Sequence, residues 1–278
     1  MNSRVKRISL NQNPGAVPTG YSVLEGEDWR AVPEGEVIEE QECCIYVNGK
    51  ELVTLAATPV QMEALALGFL ANEGLISGMA EVADISIRGS GTCVDVWLTH
   101  GIREPKRKVL TSGCTGGVTF DELAGDLPPL DFNIVVQISE LREAARSLYS
   151  AGRLYSLTRG VHTSILWRNG EQLAAAEDVG RHNTLDKLQG YCLQHELPTR
   201  GSVLFSTGRI SSEMLTKALR MKCPVVVSRT SATSLSVQLA RHWNITLVGY
   251  FRGNLSGSHA PQLLAYSHLE NLALERDL

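Results

Sequence analysis

The sequence predicts a mixed α/β protein, α+β overall, in which a small α+β domain precedes a larger layered α/β domain. Three observations carry this prediction. Asn48-Gly49 lies between two apolar runs, a strong hairpin signal, and a helical pattern follows it. Pro128-Pro129 interrupts the pattern near the middle of the chain and marks a linker. Beyond it, short β-branched runs alternate with helical periodicity, the pattern of a sheet with helices on its faces. Residues 1–35 are accordingly expected as an irregular arm, 36–130 as the small domain and 131–278 as the α/β domain.

Taken in order, Pro14, Pro18 and Pro33 with the acidic group from Glu34 to Glu42 predict an irregular lead into the first strand. Residues 43–47 and 50–55 form the hairpin around Asn48-Gly49. Thr58 reads as a helix N-cap, with Pro59 at the first helical position and Gln61 closing a capping box. Met62, Leu65, Ala66, Phe69 and Leu70 supply the buried face, and Gly74 stops the helix. Strands are predicted at 82–87 and 93–98, then, after the linker at 127–130, at 133–138. A helix capped by Ser139 turns Leu141, Ala144, Ala145 and Leu148 inward. A second hairpin spans 163–167 and 173–176 around Asn169-Gly170. Strands at 202–206, 224–227 and 245–250 then alternate with helices through Met214–Leu219 and through Val237 and Leu239. His268-Leu269-Glu270 is expected in a C-terminal helix with Leu272.

With 278 residues, 43% hydrophobic and 20% charged, the chain can bury a substantial core without covalent staples. A net charge of -4 argues against a dedicated nucleic-acid or membrane-surface protein, and the sequence contains no apolar run of spanning length. Any anionic ligand must therefore be held locally. The first 22 residues carry Arg4, Lys6 and Arg7 but lack the apolar core of a secretory signal, which predicts a cytoplasmic protein with six reduced cysteines. No cysteines stand at paired zinc spacing, and Cys43, Cys44, Cys93, Cys192 and Cys223 fall in or beside regular apolar elements as buried structural thiols. Cys114 differs. It follows the basic residues Arg103, Lys106, Arg107 and Lys108 and stands among Gly113, Gly116 and Gly117, where a thiol is little covered and nearby cations favour thiolate.

The densest polar stretch runs over residues 177–187, where a strand gives way to a helix. Gly180 permits a sharp turn, and Arg181, His182 and Asn183 open the helix, whose free N–H groups beside an arginine suit a phosphate. On an alternating β/α sheet, ligands bind at the C-terminal strand ends, where Ser206, Gly208, Arg209, Ser228 and Ser231 fall. With Asp178, Arg181 and Lys187 they are expected to form a polar, cationic rim for phosphates and a purine edge. His182 is expected to support this site rather than bind a metal, since no second ligand stands at metal spacing.

The run Glu177-Asp178-Val179-Gly180-Arg181-His182-Asn183, continued by Asp186-Lys187, resembles the signature of the formate dehydrogenase accessory sulfurtransferase family, FdhD/NarQ. Ser206-Thr207-Gly208-Arg209-Ile210-Ser211-Ser212-Glu213-Met214 with Lys217, Gly160-Val161-His162, and Leu65 to Leu70 with Glu73-Gly74 resemble further segments of that family. The resemblance implies a second domain of cytidine-deaminase-like, three-layer architecture. It also implies a sulfurtransferase in which Cys114 takes sulfane sulfur from a cysteine desulfurase as a persulfide. The sulfur would pass to a bound molybdenum bis(molybdopterin guanine dinucleotide) before the cofactor enters formate dehydrogenase. A guanine nucleotide would mimic that cofactor, Tyr250, Phe251, Arg252, Gly253, Asn254 and Leu255 occupy the family's cofactor segment, and a homodimer is among the implied assemblies.

The chain departs from the family pattern at two places: Gly117 stands where many members carry a second loop cysteine, and Ser256-Gly257-Ser258-His259 replaces an Asn-x-Tyr. His268-Leu269-Glu270 echoes a deaminase His-x-Glu, but no Pro-Cys-x-x-Cys follows, so deaminase zinc chemistry is not expected. The absent second cysteine motivates an alternative, a cofactor-binding chaperone without covalent sulfur transfer. A nucleotide hydrolase is disfavoured, because the chain has no Gly-x-x-x-x-Gly-Lys-Ser/Thr loop.

Overall fold

The computed structural model describes residues 14–88, 91–102, 109–110, 118–119, 127–252 and 263–274. From Pro14 onward the expected irregular arm is instead built of strands. β1 (Ala16–Pro18) pairs with β4 (Glu36–Ile38), and β2 (Tyr21–Glu25) forms a hairpin with β3 (Asp28–Val32). Proline is compatible with such two-stranded ribbons because an edge position leaves its missing N–H uncalled for, as at Pro18.

The predicted hairpin is β5 (Gln41–Val47) and β6 (Lys50–Ala57), joined by Asn48 and Gly49 with φ of 51° and 81°, the left-handed pair a tight primed turn requires. α1 (Met62–Asn72), β7 (Val82–Arg88) and β8 (Cys93–Leu98) complete a four-stranded sheet of order β6-β5-β8-β7 with one helix against it. Helix α1 ends as expected: Gly74, at φ 72°, donates its N–H to Ala71 O (3.0 Å), and Leu75 donates to Leu70 O (2.8 Å). Its start differs. Gln61, not Thr58, is the N-cap residue and makes no side-chain cap, because Thr58 is engaged elsewhere. Cys44 and Cys93 also depart from expectation. They are register partners on adjacent parallel strands with Cα atoms 4.4 Å apart, and they are disulfide-bonded rather than free.

β9 (Val109–Leu110) pairs antiparallel with β10 (Val118–Thr119), so both ends of the segment carrying Cys114 meet at adjacent strand positions. The expected strand at 133–138 shrinks to β11 (Val136–Gln137), because α2 (Ile138–Ala151) already begins at Ile138 and takes Ser139 into its first turn. α3 (Arg153–Thr158) follows, then the second predicted hairpin, β12 (His162–Arg168) and β13 (Glu171–Asp178), then α4 (Arg181–Gln194). The alternating region is β14 (Val203–Ser206), α5 (Ser212–Arg220), β15 (Val225–Ser228), α6 (Ser234–His242) and β16 (Thr246–Gly249). β17 (Leu264–Ala265) pairs with β16, and β18 (Leu272–Ala273) lies parallel to β11. The expected C-terminal helix is therefore a single 3-10 turn, Leu269–Asn271, entered by His268 at φ 52°.

The six-stranded sheet has the order β13-β12-β14-β15-β16-β17, with β14, β15 and β16 parallel. Alternate residues of its strands face opposite layers. Leu166, Leu204, Val226 and Leu247 pack with Leu188, Leu215 and Ala240 of α4, α5 and α6. Ile165, Phe205, Val227 and Val248 pack with Leu141, Ala145 and Leu148 of α2. This is the three-layer α/β domain the pattern predicts. The smaller domain is joined to it by α1 crossing α4 at backbone contact. A Cβ on Gly68 would lie 1.7 Å from Asp186 O, and one on Gly190 would lie 1.9 Å from Ala64 O, so only glycine fits either position.

Candidate functional site

The polar stretch at the β13–α4 junction forms, first of all, a buried scaffold. Asp178 ends β13 fully buried. Its Oδ1 accepts from Gly180 N–H (2.7 Å) and Asn183 Nδ2 (2.8 Å), and its Oδ2 accepts from Thr58 N–H (3.2 Å) and pairs with Lys187 Nζ at 2.6 Å. Lys187 also donates to Thr58 O (3.0 Å) and Glu177 O (3.2 Å). Asp178 and Lys187 thus tie the two domains together, and neither belongs to a ligand-facing rim. A charge with no water around it must be fully hydrogen-bonded to be tolerated, which is why Thr58 is diverted from capping α1. Glu177 is likewise occupied: its carboxylate accepts from Leu154 N–H and Tyr155 N–H, both at 2.8 Å, and caps α3.

A second buried pair begins at Asp186, the residue next to Lys187 in α4. Lys217 Nζ meets Asp186 Oδ2 at 2.6 Å, while Asn72 Nδ2 donates to Asp186 Oδ1 at 2.8 Å. Burial works against the charged lysine, but the carboxylates of Asp186, Glu213 and Glu73 outweigh it and hold its pKa above the ordinary value. Lys217, like Lys187, is therefore a buried lysine held by a carboxylate.

Above this floor, the C-terminal ends of β14 and β15 meet the start of α4. Gly180 has an ordinary φ of -94°, so it is not needed for a left-handed turn; its value is space, since a Cβ would come within 2.8 Å of Asn183 Nδ2. Gly208 allows a similar approach, with Arg181 Cβ at 2.9 Å and His162 Nδ1 at 3.4 Å from where its own Cβ would stand. His182 is buried, with Nε2 at 3.2 Å from both Ser211 Oγ and Glu213 Oε2. Burial, then the cations Lys217 and Arg181, push its pKa down to about 2, so the ring is neutral and serves as a hydrogen-bonding support. His162 is also shifted below the usual histidine value by burial and by Arg181.

The two serines expected to meet a ligand are fully buried and spent on loop shape. Ser206 Oγ accepts from Ser164 Oγ (2.9 Å) and Gly208 N–H (3.2 Å), and Ser228 Oγ donates to Gly208 O (2.7 Å) and accepts from Thr230 N–H (2.9 Å). Ser231 is half-buried, and its carbonyl accepts from Ile210 N–H at 3.0 Å. Phe251 is a core residue, edge-on to Phe205 with ring centroids 5.7 Å apart. Arg209, Tyr250 and Arg252 are exposed. Gly253, Asn254, Leu255 and Cys114 lie outside the described residues.

Residues 38–272 match the model of the FdhD/NarQ family. The chain belongs to that family. It is 35% identical over 225 residues to the sulfur carrier protein FdhD of Bacillus pumilus, covering 78% of this chain and 86% of the relative. The protein of the same name from Wolinella succinogenes is 35% identical over 235 residues, covering 81% and 82% of the two chains. That of Bacillus subtilis is 34% identical over 251 residues, covering 87% and 94%. The structure is similar to a crystal structure assigned as a formate dehydrogenase accessory protein from Desulfotalea psychrophila, with a TM-score of 0.78, 26% identity and coverage of 94% of this chain and 100% of the other.

In this FdhD/NarQ chain the signature motifs divide into scaffold and surface. Asp178, Asn183, Lys187, Ser206 and Ser228 shape the site from beneath, whereas Arg209, Tyr250 and Arg252 reach solvent. Sequence reasoning missed Asn72 and the scaffold roles of Thr58, which it read as a helix cap, and of Asp186. For Asp186 the signal was its charge at a position of α4 that also packs against α1. Among the described residues, no cluster of three metal-ligating side chains occurs, and no helix is long and apolar enough to cross a membrane.

The cysteines sort by environment. Burial, and next the Asp178 carboxylate, push the Cys43 thiol up to about 11; burial pushes Cys192 up to about 12 and raises Cys223 further. Cys44 and Cys93 are bonded to each other. Every described cysteine is thereby unsuited to act as a thiolate nucleophile at neutral pH.

Proposed function

We propose that this FdhD/NarQ protein is a cytoplasmic sulfur carrier, a sulfurtransferase whose working thiol is Cys114. The observation that carries the reading is the state of the other five cysteines, three buried with raised pKa and two disulfide-bonded. That leaves Cys114, in a glycine-rich stretch after a basic segment, as the candidate thiolate. Its relatives' description as sulfur carrier proteins supports the same role. The Cys114 thiolate attacks the outer sulfur of a persulfide on a cysteine desulfurase. A new S–S bond forms as the donor's S–S bond breaks, and the desulfurase cysteine leaves as thiolate. The cargo that receives the sulfur is the molybdenum bis(molybdopterin guanine dinucleotide) destined for formate dehydrogenase. Arg209 and Arg252, which reach solvent, would meet its phosphates at the strand ends, with Tyr250 beside the base, and a guanine nucleotide would stand in for it; Arg181, expected on the same rim, is buried.

Incubation with a desulfurase and cysteine tests the proposal. Cys114→Ser is expected to accept no sulfane sulfur and to leave formate dehydrogenase inactive while keeping the parent's melting temperature. A Cys114→Ser variant that still accepts sulfur would remove the carrier reading. A variant that still activates the client without accepting sulfur would favour a cofactor chaperone, the role compatible with Gly117 in place of a second loop cysteine.

A further inference from the structure

At the C-terminal end of β16, one aromatic ring lies against the backbone. Tyr250, the residue after the strand, adopts φ 56°, donates its N–H to Thr230 O at 2.7 Å and is 38% exposed. A bulky residue at positive φ is uncommon, and such conformations gather at ligand clamps. Gly249, just before it, is not in the left-handed region, so its backbone does not call for glycine. Its surroundings do. A Cβ on Gly249 would stand 2.7 Å from Tyr266 Cε2, 3.0 Å from Thr230 O and 3.2 Å from Tyr266 Oη. Tyr266 thus lies across the end of β16, beside the same Thr230 carbonyl that holds Tyr250.

The ring is fixed in this place by its own backbone. Tyr266 N–H donates to Leu247 O at 2.8 Å, and its carbonyl accepts from Arg241 Nε (3.3 Å) and Nη2 (3.2 Å). Ser267, the next residue, is buried, with Oγ donating to Ile245 O (2.7 Å) and accepting from Leu247 N–H (3.0 Å). Tyr266 packs against the core beneath the helices but is only half-buried, so part of the residue reaches solvent. Thr230 connects it to the phosphate end of the site: Thr230 N–H donates to Ser228 Oγ (2.9 Å), which donates to Gly208 O (2.7 Å), the residue before Arg209. A base joined to phosphates held at that turn needs a flat apolar surface within reach, and an immobilised aromatic ring supplies one at little entropic cost.

We infer that Tyr266 is a further base-contacting residue of the proposed site, the platform on which the purine of the dinucleotide stacks beside Tyr250. The inference deepens the proposed function and rests on it for the presence of a purine. Stacking is indifferent to base identity, so Tyr266 separates base from no base rather than guanine from adenine.

The test is calorimetric titration of the full chain with guanosine diphosphate and, separately, with inorganic pyrophosphate, which has the phosphates but no base. The parent is expected to bind guanosine diphosphate more tightly than pyrophosphate. Tyr266→Ala should lose about tenfold in affinity for guanosine diphosphate and nothing for pyrophosphate. Tyr266→Phe keeps the ring and should keep both affinities. Tyr266→Leu retains an apolar side chain against the core and is expected to behave as Tyr266→Ala, so it serves if the alanine variant does not fold. Unchanged guanosine diphosphate affinity in the variants without a ring, or an equal loss for both ligands, would overturn the inference and leave the guanine-nucleotide site standing. A parent that binds pyrophosphate as tightly as guanosine diphosphate has no base subsite, and the guanine cargo would fall together with the platform.

Discussion

Replacing Lys187 by methionine removes a charge while keeping the length of the side chain, and the structure specifies what is left behind. The Asp178 carboxylate loses its 2.6 Å partner in a place where neither side chain is exposed, and Thr58 O and Glu177 O each lose a donor. Asp178 would keep the N–H groups of Thr58 and Gly180 and the Asn183 amide, so its charge would be hydrogen-bonded but unpaired. Breaking a buried pair from one side costs about 3–5 kcal/mol. For a domain of this size, that corresponds to a fall in melting temperature of roughly 6–20 °C. Urea unfolding followed by circular dichroism measures the loss, and calorimetry on the folded protein measures guanosine diphosphate affinity. Asp178→Asn together with Lys187→Met should recover part of the stability, because no unpaired charge then remains. If Lys187→Met costs under about 1 kcal/mol and instead abolishes nucleotide binding, the lysine faces the ligand and the scaffold assignment is refuted.

His182 gives a pH signature. Its native pKa of about 2 lies below the unfolded 6.5, so between those values the unfolded chain binds a proton that the native chain does not, and stability falls as the pH drops below 6.5. By pH 5 this amounts to about 2 kcal/mol, and His182→Gln should flatten the urea-derived stability profile by that amount relative to the parent. Gly190→Ala forces a methyl group to 1.9 Å from Ala64 O, and a loss of at least about 3 kcal/mol or failure to accumulate folded protein is expected; a urea midpoint equal to the parent's would disprove the close helix crossing. Arg209→Ala should weaken guanosine diphosphate binding by about 1.5–3 kcal/mol in calorimetry, and guanosine diphosphate should bind the parent better than adenosine diphosphate.

Local rules read from the chain hold wherever the backbone decides the outcome. Asn48-Gly49 and Asn169-Gly170 adopt the positive φ pairs their hairpins need, and Gly74 closes α1 with the expected pair of hydrogen bonds. They fail where a distant partner competes. Thr58-Pro59 has the chemistry of a helix start, but the threonine is drawn to Asp178, 120 residues away, by a buried charge that no spacing rule reveals. Ile134, Val135 and Val136 have strand propensity, yet only Val136 and Gln137 find a partner, because β18 offers two residues at the far end of the chain. The stretch after His268 makes only one 3-10 turn, because β18 begins at Leu272. The candidate site was legible as a location: residues 177–187 and the ends of β14 and β15 do converge. The roles within it were not. Lys187 and Arg209 are equally cationic in sequence, and only burial separates a scaffold charge from one that reaches solvent.

The central claim is that sulfur is carried on Cys114, and peptide mass mapping of the intact parent protein after exposure to a cysteine desulfurase and cysteine measures it most directly. With exposed persulfides alkylated before digestion, one added sulfur is expected on the peptide containing Cys114. None is expected on those containing Cys43, Cys192 or Cys223, whose thiols are buried. Sulfur found on one of those three peptides, or on none, would contradict the account.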